Sequence, residues 1–291
     1  MTRVYGAIGT SILVWSLAFL VIRTALAQLK PAELALLRFI PVALLCGIFA
    51  AIKFRKETTR ILREDRGALI MMSMLLIPFY NWCLYLGQQK VSPGLAALMI
   101  GSSPAVTYVM AFSIGQEKFL WPKMGGILLA FAGLLIAIVL GSERGLEASG
   151  WAYVLAVFGA TMSASSYSIM ARSLLFKYDP VPLMCLVMVT GTVPLLIAGG
   201  PEFWGKLVLL SGKTWVSIGY LSLIATLGGF YSWFYALKRL PASNVVIFAN
   251  LIPFLTMLFG YVFYGEHITA WLIAGGVLIA LGVYQTTRKI A

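Results

Sequence analysis

The sequence predicts an all-α integral membrane protein with ten transmembrane helices arranged as two inverted five-helix repeats. Three observations lead there. Of 291 residues, 60% are hydrophobic and 11% charged, whereas a soluble domain carries about 25% charged residues. The apolar residues gather into ten long runs separated by short polar gaps. The second half repeats the first at a constant offset of 149 positions.

The runs cover residues 4 to 27, 32 to 52, 67 to 89, 93 to 116 and 123 to 141, then 150 to 176, 181 to 200, 215 to 237, 242 to 264 and 269 to 287. A hydrocarbon layer about 30 Å thick takes about 20 helical residues to cross. Lipid offers backbone N–H and C=O groups no water, so runs of this length read as helices. In the first run, Arg3 and the small-x-small end Ala25-Leu26-Ala27 look like a secretory leader. The run is too long for a leader core and the repeat requires it, so it is read as the first span.

The net charge of +12 does not point to nucleic acid, because the 22 basic residues cluster in the gaps between runs. Cys46, Cys83 and Cys185 each stand alone in an apolar run, and His267 is the single imidazole. No zinc site or disulfide framework follows from that spacing, no cofactor or metal is expected, and the thiols read as packing residues.

Shifting the chain by 149 residues aligns Ser16 with Ser165, Arg23 with Arg172, Pro31 with Pro180, Pro104 with Pro253, Thr107 with Thr256, Glu117 with Glu266, Gly126 with Gly275 and Gly133 with Gly282. The two units run from 1 to 145 and from 146 to 291. Five spans are an odd number, so the second unit enters the membrane from the opposite side. With Arg23, Arg38 and Arg172 set aside, 14 basic residues fall on the N-terminal side and five (Lys30, Lys90, Arg144, Lys206, Lys213) on the other. Lys and Arg remain on the cytoplasmic face, so both termini are expected there, in a bacterial inner membrane.

The segment Tyr235-Ala236-Leu237-Lys238-Arg239-Leu240-Pro241-Ala242-Ser243, followed by Pro253, Gly265-Glu266, Gly275 and Gly282, resembles the second EamA-type repeat of the drug/metabolite transporter superfamily. Trp15-Ser16, Leu37-Arg38-Phe39, Pro93-Gly94-Leu95-Ala96-Ala97, Pro104, Glu117, Gly126 and Gly133 resemble the first. The family's Trp-Gly pair is Trp15-Ser16 here and Ala164-Ser165 in the second half. The resemblance implies a central cavity lined by helices 1 to 4 and 6 to 9, with helices 5 and 10 behind it. It also implies alternating access that carries small metabolites, often outward.

No carboxylate falls at a predicted bilayer midplane. Proton or sodium coupling commonly uses such a group, so a facilitator, an exchanger, or a porter coupled near Glu117 or Glu266 is expected. These two glutamates end helices 4 and 9. They serve either as coupling or gate groups, or as acceptors for the N–H groups opening the next helix, the role their spacing favours. Arg38, about six residues inside helix 2, either holds a substrate carboxylate or binds helix-end carbonyls. Arg23 and Arg172 lie near helix ends, where they can snorkel.

Aromatic and small polar residues are the candidate substrate lining: Trp15, Ser16, Tyr80, Asn81, Trp82, Tyr85, Ser165, Tyr167, Tyr231, Trp233, Asn244 and Asn250, with Asn250 facing the interior. The alternatives are interfacial aromatic belts and Ser-mediated packing. Pro104 and Pro253 are expected to kink helices 4 and 9. Gly126, Ala130, Gly133, Ala137 and Gly141, with Gly276 and Ala280, form small-residue stripes on helices 5 and 10. These features together predict a secondary transporter of a small organic solute, an amino acid favoured, in a monomer or homodimer surrounded by membrane lipid. A membrane-embedded enzyme would need a triad, paired carboxylates or a metal cluster, and a channel would need a filter; the sequence supplies neither pattern.

Overall fold

A computed structural model describes residues 2–115, 119–141, 150–198, 201–237, 239 and 247–287. Helix α1 is Thr2–Ala25 and α2 is Pro31–Lys53, with Pro31 opening α2 where a missing N–H costs nothing. A short amphipathic helix, α3 (Arg55–Glu64), occupies the basic gap. The third span begins as α4 (Arg66–Met74), widens into a π-helical stretch at Leu75–Phe79, and continues as α5 (Tyr80–Gly87). The fourth is α6 (Pro93–Gly101) followed by α7 (Ser103–Ser113). Helix α8 (Trp121–Val139) closes the first half.

The second half follows the same plan. Its long first helix is α9 (Gly150–Leu175), then α10 (Pro180–Thr192), which tightens into a 3-10 stretch at Val193–Ala198. Helix α11 (Pro201–Lys206) precedes α12 (Gly212–Gly219), a π-helical stretch at Tyr220–Gly228, and α13 (Gly229–Leu237). A 3-10 turn at Ile247–Asn250 leads into α14 (Leu251–Tyr264), and α15 (Ala270–Thr287) ends the described chain. Among the described residues, seven helical spans are long and apolar enough to cross a membrane. An eighth segment, 212–233, follows 203–209 at a bend of 112°, and two shorter apolar helices occupy 248–264 and 270–286.

The packing follows the 149-residue offset. α1 lies against α13 and α14, and its counterpart α9 lies against α5, α6 and α7; α2 packs on α10 and α8 on α15. The ties within this frame are also duplicated: Ser16 Oγ donates to the Ile252 carbonyl at 3.3 Å, and Ser165 Oγ donates to the Ser103 carbonyl at 3.1 Å. Both serines are fully buried. The hydroxyls join helices across the core, so Ser16 and Ser165 are packing ties and do not line an open cavity.

Helices α8 and α15 meet backbone to backbone. A Cβ at Gly126 would lie 2.6 Å from the Gly282 carbonyl oxygen, and one at Gly133 would lie 2.6 Å from that of Gly275. The stripe on α15 is therefore Gly275 and Gly282, whereas the expected Gly276 faces Leu98 and Phe254 on the opposite side. The two symmetric prolines each stand just past an interruption of their span. The fourth span is interrupted at Ser102, and Pro104, which has no N–H to carry the helical ladder across that point, stands in the first turn of α7. Pro253 likewise opens α14, and a Cβ at Gly101 would touch its ring at 3.0 Å, so the two interrupted spans meet at their breaks.

The glycine crossing makes a matched pair of variants informative. Gly133→Ala should lower the thermal unfolding temperature of the purified protein, by the equivalent of about 1–3 kcal/mol, as expected for overpacking. Gly125→Ala, whose Cβ would meet only the Gln285 amide nitrogen at 3.5 Å, should leave that temperature unchanged.

Candidate functional site

Among the described residues one cation is buried. Arg38, 8% exposed, projects from α2 between the third span and the eighth. Its Nε donates to Thr226 Oγ1 at 3.0 Å, and its Nη1 donates to the Tyr85 hydroxyl at 2.7 Å and to Asn81 Oδ1 at 3.4 Å. The guanidinium carbon lies 5.1 Å from the Phe39 ring centroid. Its partners are side-chain oxygens from two other spans, so Arg38 is not bound to helix-end carbonyls. No described carboxylate lies within 4.0 Å of it.

The π-helical stretches place these partners. A π turn rotates the following residues and frees carbonyls of the preceding turn. In the third span Asn81 Nδ2 donates to the Leu76 and Ile77 carbonyls at 3.1 and 2.9 Å, and Ser163 of α9 donates to that of Leu75 at 2.7 Å. In the eighth span Thr226 donates to the Leu221 carbonyl at 2.8 Å, the Trp15 indole to that of Ala225 at 2.8 Å, and Ser11 to that of Gly229 at 3.0 Å. Thr226 thus offers Arg38 its oxygen while its proton is already used. The Trp15 ring sits 5.3 Å from Phe230 and 5.2 Å from Trp233. This aromatic wall stands beside the site on α1 and α13.

The cluster breaks the repeat. The positions equivalent to Arg38, Asn81, Tyr85 and Thr226 are Val187, Phe230, Phe234 and Ile77. The residues that hold the guanidinium are therefore not duplicated, although the frame around them is.

Several expected lining residues lie elsewhere. Trp82 is 48% exposed, on the outer stripe of the third span with Phe79 and Met71, and Tyr231 is 68% exposed. Both point away from Arg38 because the helical period sends 81 and 85 inward and 82 outward. Tyr80 and Tyr167 are half-buried against the main core. Asn250 is half-buried just before α14, in a narrow gap with Leu98, Gly101 and Pro253, outside the Arg38 cluster. Asn244, Glu117 and the Arg172 side chain lie outside the described residues. Cys46 of α2 and Cys185 of α10 are buried neighbours where those two helices pack, a proximity that sequence spacing could not reveal.

Glu266 is held differently from its expected role. Gly265, at φ +62°, ends α14 in the left-handed region, and the Glu266 N–H returns to the Gly260 carbonyl at 3.1 Å. Its carboxylate pairs with Arg23 of α1, while the cap of α15 is the Thr269 hydroxyl, which accepts from the Leu272 N–H at 3.2 Å. Burial raises the Glu266 carboxyl above its ordinary range, and the Arg23 charge partly opposes that shift. The neighbouring Thr24 and Tyr264 hydroxyls are 2.6 Å apart.

The two ends of the molecule carry equivalent ties of different chemistry. At the basic end, Lys177 Nζ lies 3.1 Å from both oxygens of Asp65, and the Tyr178 hydroxyl is 2.7 Å from Asp65 Oδ2 and 3.0 Å from Glu64 Oε2. Arg60 Nε bridges both Glu64 oxygens at 3.1 Å. The Tyr178 hydrogen bonds, with Arg60 and Lys177, hold the Glu64 and Asp65 carboxyls below their usual range. The same carboxylates push the Tyr178 hydroxyl up. Positions 28 and 214 correspond by offset to 177 and 65. At the far end, the Gln28 amide oxygen accepts from the Thr214 hydroxyl and, at 2.8 Å, from that of Ser211.

A bundle of apolar helices, its two halves superposing in sequence and packing alike around one buried guanidinium, defines a helical membrane transporter of duplicated build. The chain belongs to the EamA-like transporter family, whose model matches it twice, at residues 4–139 and 151–288. It is 30% identical over 278 residues to an uncharacterized transporter of Archaeoglobus fulgidus, covering 94% of this chain and 95% of that one. It is 26% identical over 293 residues to a probable terminal-alkyne amino-acid exporter of Streptantibioticus cattleyicolor, covering 99% and 95% respectively. A protein of known crystal structure shares the fold with a TM-score of 0.67, at 18% identity, over 98% of this chain and 96% of that one.

The basic-end tie yields a pH prediction. Both carboxyls titrate lower in the folded protein than in an unfolded chain, where Asp and Glu sit near pH 3.9 and 4.3. Their contribution is therefore complete at neutral pH and is lost only as pH falls below about 4. Amide exchange around Tyr178, followed by mass spectrometry, should be slow at pH 7 and accelerate in Asp65→Asn at that pH.

Proposed function

We propose that this transporter is a secondary carrier of zwitterionic amino acids. In this reading ten helices cross a bacterial inner membrane as two inverted repeats, residues 1–145 and 146–291, with both termini in the cytoplasm. One observation carries the substrate assignment: Arg38 is buried among neutral oxygen atoms with no carboxylate partner among the described residues. A buried charge is costly unless it is paired. The missing counter-charge is the substrate carboxylate, which completes an ion pair in a site of low dielectric.

The aromatic rings beside Thr226, those of Trp15, Phe230 and Trp233, suit the side chain of an amphipathic amino acid. The name of the Streptantibioticus relative, a probable amino-acid exporter, agrees with this chemistry. No described carboxylate touches the cluster, which favours exchange or facilitated movement over proton coupling. Alternating access would open one end while the other stays tied: Arg23–Glu266 and Gln28–Thr214 at the far end, Asp65–Lys177–Tyr178 at the basic end. The junctions at Ser102 and before Leu251, each followed by a proline, are the bending points.

Counterflow of labelled amino acids in proteoliposomes tests the assignment. A saturable exchange should appear with the native protein. Arg38→Met should reduce it by roughly 10- to 150-fold, the value of about 1.5–3 kcal/mol for a charged hydrogen bond, and Arg38→Lys should fall between. Full counterflow in Arg38→Met would overturn the carboxylate role. Pro104→Ala with Pro253→Ala should slow turnover more than it weakens binding; unchanged turnover would show that the two breaks are static.

A further inference from the structure

The strap between the second and third spans carries charge that the fold itself does not use. Helix α3 packs on α2, α4 and α10. Thr58 and Ile61 are its buried residues, and the half-buried Phe54 and Asp65 extend that inward stripe at helical spacing. The Phe54 ring meets that of Phe49 edge to face at 5.5 Å, which holds the turn out of α2. Residues seven apart share a face of a helix, so the inward stripe sorts the others. Glu57 and Glu64 lie on the flank where Glu64 meets the Tyr178 hydroxyl. Lys56 and Arg63 point outward, and Arg55 and Leu62 lie on the opposite flank, with Leu62 44% exposed.

Five cations on and beside this helix, Lys53, Arg55, Lys56, Arg63 and Arg66, are exposed, and no described carboxylate lies within 4.0 Å of any of them. Arg60, by contrast, is taken up by Glu64 and the Tyr178 ring. The unpaired five border apolar surface on both sides. The exposed stripe of α2, which includes Ile48, Phe49 and Ile52, ends at Lys53, and the third span exposes Ile70 and Met71 about one turn past Arg66. In a membrane-spanning chain such stripes meet acyl chains, so the cations stand at the level of the headgroups. The equivalent strap at the far end differs in chemistry. Positions 55–64 correspond by offset to 204–213, where two lysines replace the cluster, Lys206 is paired with Glu33 at 3.5 Å, and Val208 is 89% exposed.

Unpaired cations at the rim of an apolar wall are complementary to a molecule with a phosphate head and hydrocarbon tails. We propose that α3, with Lys53 and Arg66 at its ends, is a docking surface for anionic phospholipid. The phosphodiester meets Arg55, Lys56 and Arg63, and the chains lie against Leu62 and the exposed stripes of α2 and the third span. A soluble polyanion would engage the same charges but leave Leu62, Ile52 and Ile70 uncovered. The inference is independent of the amino-acid reading of Arg38.

The test places a bimane label on Leu62→Cys, with the protein in phosphatidylcholine nanodiscs doped at equal mole fraction with phosphatidylglycerol or phosphatidylcholine brominated on the acyl chain. The native Cys46, Cys83 and Cys185 are buried, and Val208→Cys on the far strap serves as the reference position. Each cation near an anionic lipid strengthens the association about fivefold, so a headgroup shared by two of them should be enriched roughly 25-fold at residue 62. Brominated phosphatidylglycerol should therefore quench the Leu62 label far more than brominated phosphatidylcholine does, and the two should quench the Val208 label alike. Arg55→Gln, Lys56→Gln and Arg63→Gln together should bring the ratio close to one and leave the thermal unfolding temperature in plain phosphatidylcholine discs unchanged. Sodium chloride at about 1 M, where the screening length is about 3 Å, should shrink the preference without any change to the cluster.

Equal quenching by the two lipids at residue 62 would overturn the docking surface, and a preference that survives the triple substitution would overturn its assignment to these side chains. Quenching by neither lipid, with an emission shift on adding single-stranded RNA, would assign the cations to a soluble polyanion and overturn the lipid.

Discussion

The rest of the interior is arranged around the need to keep one guanidinium in a medium that does not solvate it. Arg38 on an apolar helix would cost roughly 2.5–3.5 kcal/mol at a bilayer centre without help. Help comes from a tyrosine hydroxyl, an amide oxygen and a threonine hydroxyl, none of them charged. Neutral partners lower the penalty without cancelling the charge, which is the condition a binding site needs and a purely structural arginine does not. Each partner must itself be supported. Asn81 and Thr226 are, because the π-helical stretches at Leu75–Phe79 and Tyr220–Gly228 release carbonyls that use up their spare protons.

Duplication explains the frame, and departure from duplication explains the site. Hydrogen bonds from Ser16 and Ser165, the glycine crossings of α8 and α15 and the paired π-helical stretches all recur at the same offset. These features have to match, because two identical units meet only by self-complementary packing. Arg38 and its three partners correspond by offset to Val187, Phe230, Phe234 and Ile77 instead of to copies of themselves.

Much of this was legible in the sequence. Hydropathy marked the helical stretches because length and burial in lipid leave the backbone few choices, and the repeat appeared because packing glycines and prolines hold their register. Arg38 was conspicuous as a charge within an apolar run. What escaped was set by tertiary geometry. The π-helical stretches leave no residue signature, so the inward turn of Asn81 and Tyr85 and the outward turn of Trp82 were indistinguishable by type. Glu266 has two roles open to it by spacing, a gate or coupling group and a cap for the next helix; the cap is Thr269, and the carboxylate pairs with Arg23, a partner 243 positions away. Gly276 was taken for Gly275 because one position of helical phase decides which face meets α8.

The ties at the two ends respond differently to dissolved ions. Every contact described at the basic end involves Asp65 or Glu64, whereas the far end combines the Arg23–Glu266 pair with neutral bonds to Gln28. Mobile ions screen charged contacts within about 8–10 Å at physiological strength and leave the Gln28 bonds untouched. In concentrated salt, then, the basic end loosens throughout, while the opposite end keeps a fastening that electrolyte does not weaken.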